Sequence, residues 1–225
     1  MDRARLAWAS RLRVPPDAFT HPGIVVVERA ELDSVVSVTF SDACVVLTPP
    51  NLVEPVGRLD LNTLTDAAAL TRALAPDARC APIGTAELWF TDVSPPTGCA
   101  ATEVATEPDL VALRTDCTKQ EWDEAGLDDM PWRWVGHTDS GATAAVAGYE
   151  QWGELAQLGV LAVPAHRGRG FAYAAAARTV IEAIGAGRLA QWRCRVENDA
   201  SARLAHRLGF VRAGVQAAVS VSPDG

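Results

Sequence analysis

The residues best spaced for chemistry lie in LGVLAVPAHRGRGFAYAAAARTVIEAI, Leu158 to Ile184. Leu158 to Val163 is almost wholly apolar, the pattern of a central strand covered on both faces, and Pro164 ends it. Arg167-Gly168-Arg169-Gly170-Phe171-Ala172 then runs directly into an alanine-rich segment of high helix propensity. A strand, a glycine turn and a helix start make an anion site. The first amide hydrogens of the helix lack carbonyl partners, the helix dipole favours negative charge, and Gly170 lets the backbone approach a phosphate closely. Two common phosphate loops fit poorly. A P-loop needs Lys-Ser or Lys-Thr after its last glycine, where Phe171 and Ala172 stand. A dinucleotide fold wants an acidic residue on the next strand, which here is QWRCRV with Arg193 and Arg195.

A second pattern follows at ENDASARLAHRLGF, where Asn198 opens a helix and Gly209-Phe210 closes it. Arg167-x-x-Gly170-x-Ala172 and this second pattern, in that order with a helix and a strand between them, resemble the two motifs of the GNAT acetyltransferase superfamily. The resemblance covers about residues 97–221. It implies an α/β (α+β) fold, with a mixed, mostly antiparallel central sheet of the GNAT type flanked by helices. It implies transfer of an acetyl (acyl) group from acetyl-CoA, as co-substrate and without a metal, to a primary amine. That amine belongs to a small molecule, a peptide N-terminus or a lysine. The pantetheine arm is then expected along the strand edge at Leu161, Ala162 and Val163, where this strand splays from QWRCRV. The pyrophosphate is expected on the amides of Gly168, Arg169, Gly170, Phe171, Ala172 and Tyr173, beside Arg167, and Asn198 is expected to bind the pantetheine arm. Each residue has a plainer alternative: the glycines a tight turn only, Asn198 an N-cap only, Arg167 and Arg169 solvated charges.

Acetyl transfer to an amine needs a base for an ammonium whose pKa starts near ~10. It also needs a backbone donor for the developing oxyanion and a proton for the departing thiolate. Glu150 is the candidate base, because strand alternation puts it on one face with Val146 and Trp152; a solvated edge charge is its alternative. Many family members carry a tyrosine seven residues after the motif asparagine, and Ala205 stands there instead. Ser201 projects to roughly the same side as Asn198 and is the candidate for serving near the sulfur. The N-x-x-S pattern resembles the branch that modifies ribosomal-protein N-termini; a serine bonded to its own helix backbone is the alternative. Ala205 also motivates a second function, a non-catalytic acyl-CoA-binding or sensing module. For the acceptor, CTKQEWDEAGLDDMPW supplies Glu121, Asp123, Glu124, Asp128 and Asp129. With Trp122, Trp132 and Trp152 these would form an acidic, aromatic cleft suited to a cation, or else a solvated helix face.

The elements that must position these residues can be read from pattern and punctuation. Residues 1–22 form an arm with a helix over 1–13, stopped by Pro15 and Pro16. Residues 23–96 form a smaller α+β domain: strands GIVVVER, SVVSVTF and ACVVLTP with a tight connection at Asp42, helices at 51–57 and 63–74, and strand AELWFTD. Asn62 or Thr63 is the expected cap of the second helix. Pro95 and Pro96 mark the boundary, and 97–225 is the acyltransferase domain. There we expect a strand near 100–105, helices at 107–116 and 118–126, and strands RWVGHT, TAAVAGYEQW and LAQLGVLAV. A helix over 168–186, strand QWRCRV, a helix over 198–208 and a last strand over 210–221 complete it.

Composition excludes more than it selects. Of 225 residues 48% are hydrophobic, enough for a core, and a net charge of −8 argues against nucleic acid as a partner. The five cysteines form no CxxC and meet no histidines at zinc spacing, which fits reduced thiols in a cytoplasmic protein. The N-terminus has no secretory h-region, and no apolar run approaches the roughly 20 residues that cross a bilayer, so no membrane partner is expected. The N-terminal domain is expected to shape the acceptor cleft or a homodimer interface.

Overall fold

Alternating apolar strands and short, well-capped helices set the order of elements. The computed structural model describes residues 2–96 and 102–222. In chain order these are α1 (Asp2–Leu12), β1 (Gly23–Glu28), β2 (Ser34–Phe40), β3 (Ala43–Thr48), α2 (Val53–Gly57), α3 (Leu61–Leu64), α4 (Ala67–Leu74), β4 (Arg79–Thr91) and β5 (Glu103–Val104). There follow α5 (Glu107–Asp116), α6 (Lys119–Ala125), β6 (Trp132–His137), β7 (Thr143–Trp152), β8 (Leu155–Ala162), α7 (Phe171–Gly185), β9 (Leu189–Arg195), α8 (Asp199–Arg207) and β10 (Val211–Ser222). The result is a mixed α/β fold whose sheets are mostly antiparallel and flanked by helices. Among the described residues no helix is long and apolar enough to cross a membrane.

The chain divides into two compact units. One runs up to Trp89 and adds Arg193–Asp199 and the stretch from Arg212 onward. Its strand order is β1-β3-β2-β10-β4. β1 pairs with β3 in parallel, while β2 is antiparallel to both β3 and β10. Leu52, Val56, Leu64, Leu70 and Leu74 pack with Val35, Cys44, Val46, Ala217 and Val219 as its core. The helix expected over 63–74 is two helices. Asp60 accepts from the Thr63 amide at 2.8 Å and Asp66 from the Ala69 amide at 2.6 Å. Each carboxylate satisfies an orphan donor and so starts a helix, which displaces Asn62 and Thr63 from the capping role. The division also departs from the chain order expected at Pro95–Pro96, because β10 lies between β2 and β4. Hydrophobic pattern defines a strand but not the sheet that it joins. The expected boundary at 96/97, and the start of the strand expected near 100–105, run into residues 97–101, outside the described residues.

The second unit comprises Phe90–Trp192 and Ala200–Val211. Its strand order is β9-β8-β7-β6-β5. β5 through β8 pair antiparallel; β8 and β9 are parallel, in register from Leu155↔Leu189 to Leu158↔Trp192. Gly153, at φ 56°, turns the β7–β8 hairpin. One face of this sheet carries α5 and α6, with Leu110, Leu113 and Trp122 packed on Val135, Val146 and Leu161. The register partners Gly148 and Gly159 lie on that face. A Cβ at Gly159 would stand 2.0 Å from the Ala125 carbonyl oxygen, and one at Gly148 would stand 2.6 Å from the Trp132 carbonyl oxygen. Only glycine admits so close an approach of backbone to sheet. α7 covers the other face with Ala174 to Ala177, Val180 and Ala183, its small side chains letting it lie close to β6–β8.

Candidate active site

β8 ends at Ala162, and a single 3-10 turn, Pro164–His166, leads to the glycine turn. Gly168 (φ 75°) and Gly170 (φ 92°) both occupy the left-handed region, and a Cβ at either would meet nothing within 4 Å. The glycines therefore serve backbone conformation and leave the surface above them open. Gly170 is the N-cap of α7 and has no side chain to cap it. Its carbonyl accepts from Ala174 at 3.0 Å, so helical geometry leaves the amides of Phe171, Ala172 and Tyr173 directed outward from the first turn. Because of these glycines α7 starts at Phe171 and not at residue 168.

Basic and aromatic side chains gather at this helix start. Arg169 Nη1 lies 3.2 Å from His166 Nδ1, and its guanidinium sits 5.4 Å from the Phe171 ring centre. Arg207 of α8 lies 5.0 Å over the Tyr173 ring. Arg167, in contrast, turns back onto its own strand. Its Nε donates to the Ala162 carbonyl at 3.1 Å and its Nη2 to Glu121 Oε1 at 2.7 Å. Leu161 and Val163 are buried in the core beneath α5 and α6. The Val163 amide donates to the Ala144 carbonyl at 3.0 Å. Asn198 is exposed immediately before α8, and its amide donates to the Arg195 carbonyl at 2.9 Å.

The two candidate catalytic side chains stand on opposite sides of β8. Glu150 is the register partner of Gln157 and is half-buried on the α5–α6 face, where its Oε2 accepts from Trp152 Nε1 at 2.6 Å. Ser201, half-buried, accepts from Trp192 Nε1 at 2.9 Å. Trp192 stands beside Leu158, whose side chain points away from the face of Glu150. This contact ties Ser201 to another element, β9. Ala205, one turn further along, is wholly buried.

The region expected to line the acceptor cleft is heavily cross-linked. Arg114 pairs with Asp128, Lys119 Nζ with Asp123 at 2.5 Å, and Gln120 with Glu124 at 3.1 Å. Trp122 is core, its indole donating to Asp128 at 2.8 Å. Trp132 shares the α7 face with Tyr149, stacked at 4.8 Å, whereas Trp152 lies on the α5–α6 face. Strand alternation thus prevents the three tryptophans from forming one wall. Burial, then the Glu182 carboxylate, pushes the Tyr149 phenol up.

Two polar groups escaped the sequence reading. Gln157 and Gln191 are buried register partners, the Gln191 amide donating to Gln157 Oε1 and the Gln157 amide to the Leu158 carbonyl at 2.9 Å. A glutamine breaking an apolar strand was the available signal. Asp109, in the capping box of α5, accepts from Thr106 Oγ1 at 2.6 Å and Thr143 Oγ1 at 2.7 Å, with His137 Nε2 at 2.9 Å. Burial alone would raise its carboxyl; the bonds from Thr106, Thr143 and His137 outweigh that and hold it well below the usual carboxylate range.

This strand–turn–helix assembly lies inside a segment with a recognisable family. Residues 142–215 match the family described as GNAT acetyltransferase. The fold is likewise that of solved GNAT structures. A GNAT-family structure from Novosphingobium aromaticivorans superposes with TM-score 0.50 at 18% identity, over 86% of this chain and 77% of that one. A GCN5-related N-acetyltransferase from Kribbella flavida gives TM-score 0.51 at 18% identity, over 69% of this chain and 64% of that one. A Drosophila protein gives TM-score 0.54 at 14% identity, over 100% of this chain and 88% of that one. No curated protein matches the chain.

Proposed function

We propose that the chain transfers an acetyl or other acyl group from acetyl-CoA to a primary amine. The observation that carries this reading is the turn between β8 and α7. Two left-handed glycines open the surface above a helix start whose amides lack helical partners, and the turn lies within the segment of GNAT sequence. A diphosphate fits such a cradle. Gly168 to Tyr173 would hold it through backbone amides, with Arg169 adding positive charge; Leu161, Ala162 and Val163 would line the pantetheine arm, and Asn198 would bind the arm from the start of α8. Acetyl-CoA supplies the activated thioester.

The chain's own groups then move protons. Glu150 takes the proton of the incoming ammonium, so that the free amine can attack the thioester carbonyl. A β8 backbone amide stabilises the oxygen as charge develops on it. Ser201, held by the Trp192 indole, sits on the other side of β8 and relays a proton to the departing sulfur as the C–S bond breaks, regaining one through solvent from the second N–H that the nitrogen sheds. A base and an acid on opposite sides of the strand suit attack and departure at one carbonyl carbon. The acceptor is an amine of a small molecule, a peptide N-terminus or a lysine, and a cytoplasmic location fits this reading.

The test has two arms. Coenzyme A should raise the melting temperature, and acetyl-CoA with a panel of amines should release free thiol. Gly170→Glu should abolish both by placing charge and bulk over the cradle; unchanged affinity in that variant would assign the coenzyme elsewhere. Stabilisation without thiol release from any amine would replace the enzymatic reading with the acyl-CoA-binding module.

A further inference from the structure

The motif arginine does something other than face the cradle. Arg167 lies three residues before the N-cap of α7, yet both of its bonds point back toward β8 and α6. Its Nε holds the Ala162 carbonyl at 3.1 Å, an oxygen that Cys117 Sγ also approaches at 3.7 Å. Its Nη2 holds Glu121 Oε1 at 2.7 Å. The other carboxylate oxygen of Glu121 accepts from the Thr118 amide at 2.9 Å and the Thr118 hydroxyl at 3.0 Å, closing the capping box of α6. One guanidinium therefore joins three things: the turn that carries it, the last residue of β8, and the first turn of α6.

We infer that Arg167 is a positioning residue that couples the glycine turn to α6 through Ala162 and Glu121, so that coenzyme held at the turn stiffens the α5–α6 wall. This rests on the coenzyme reading proposed above. The physical basis is that Glu121 serves two structures at once. Its charge is shared between a helix cap and an arginine anchored in the neighbouring turn, so displacement of the turn reaches the α6 N-terminus through two short bonds. The thiol of Cys117, immediately before that N-terminus, leans on the same carbonyl. Burial, then the Glu121 charge, pushes its thiol up, which keeps it a neutral partner in the arrangement.

An arginine that instead contacts the diphosphate makes the opposite prediction for Glu121. If Arg167 is a phosphate ligand, Glu121 competes for it, and removing that carboxylate should leave coenzyme affinity unchanged or improve it. If Arg167 is a coupling clamp, Glu121 and Arg167 act as a unit. The experiment measures coenzyme A affinity by titration calorimetry for wild type, Glu121→Gln, Arg167→Gln and the double variant. The clamp predicts that each single variant weakens binding by a similar factor, roughly three- to thirtyfold, and that the double variant is no weaker than either. In parallel, coenzyme A should slow amide hydrogen exchange at Thr118 to Trp122 in wild type and fail to do so in Glu121→Gln. Loss of affinity in Arg167→Gln with full or tighter affinity in Glu121→Gln overturns the clamp while leaving the coenzyme site intact. Unchanged α6 exchange on binding to wild type overturns it as well. A wild type that binds no coenzyme A removes the functional reading itself, and the clamp with it.

Discussion

Replacing Gly159 by alanine should lift α6 off the sheet. The new Cβ would lie 2.0 Å from the Ala125 carbonyl oxygen and 2.6 Å from Met130 Cε. The methionine tip can swing aside because its side chain is unbranched and adaptable. The carbonyl cannot, since it belongs to the last residue of α6, and reaching ordinary contact moves backbone by more than about 1 Å in a close-packed layer. Overpacking of this kind costs about 3 kcal/mol. For a chain of this size the corresponding fall in melting temperature is about 6–12 °C, read by scanning calorimetry. Gly153→Ala is the control, because a Cβ there meets nothing within 4 Å and only the left-handed backbone is penalised. That strain is about 1 kcal/mol, a fall of a few degrees. If Gly159→Ala melts as high as Gly153→Ala, α6 does not rest on Gly159 and the packing argument is wrong.

Four further outcomes can be checked. Asp109→Asn should cost about 1–3 kcal/mol at neutral pH by weakening the α5 cap and the bonds from Thr143 and His137. The folded Asp109 carboxyl releases its proton more readily than the unfolded one. Its contribution is therefore full above the unfolded pKa of about 4 and is lost as pH falls through the folded value. Wild type should thus lose more stability than the variant in strong acid, as read by denaturant titration across pH. Glu150→Gln should lower turnover with amines most at low pH, and a profile matching wild type in shape and height would remove Glu150 as base. Ser201→Ala should lower turnover and shift the emission of Trp192 by freeing its indole; the emission shift with full turnover leaves the serine a purely structural role. In Tyr173→Phe, which leaves Tyr149 as the one tyrosine of two, ultraviolet titration should show ionisation above the ordinary value near ~10, and adding Glu182→Gln should bring it back part of the way. Since the folded phenol keeps its proton longer, its share of stability fades as pH rises through that folded value.

The sequence exposed what is local. The apolar run at Leu158–Val163, the proline after it and the alanine-rich segment marked β8 and α7, and period-2 alternation placed Glu150 on the face of Val146. Glycine, asparagine and proline marked most element ends within a residue or two. What stayed hidden depends on long-range partners. Nothing in VRAGVQAAVSVS states that it pairs with β2, since its alternation would suit any sheet. Arg167 read as a phosphate-side charge because its partner Glu121 lies 46 residues earlier. The acidic stretch around α6 suggested a cation site, but Asp128, Asp123 and Glu121 pair with Arg114, Lys119 and Arg167, and those pairings exist only once the chain is folded.

The buried glutamine pair fixes the register of β8 and β9. β8 and β9 run parallel, and most of their residues are apolar on either face, so hydrophobic burial alone would tolerate one strand sliding along the other. Gln157 and Gln191 forbid it: a slip of a single position strands two amides in the interior, at about 1–3 kcal/mol apiece. The pair works as a key cut to one alignment, the alignment that sets Leu158 abreast of Trp192. Swapping both glutamines for leucine would leave a protein at least as hard to melt, and one that no longer knows where its two central strands should stop.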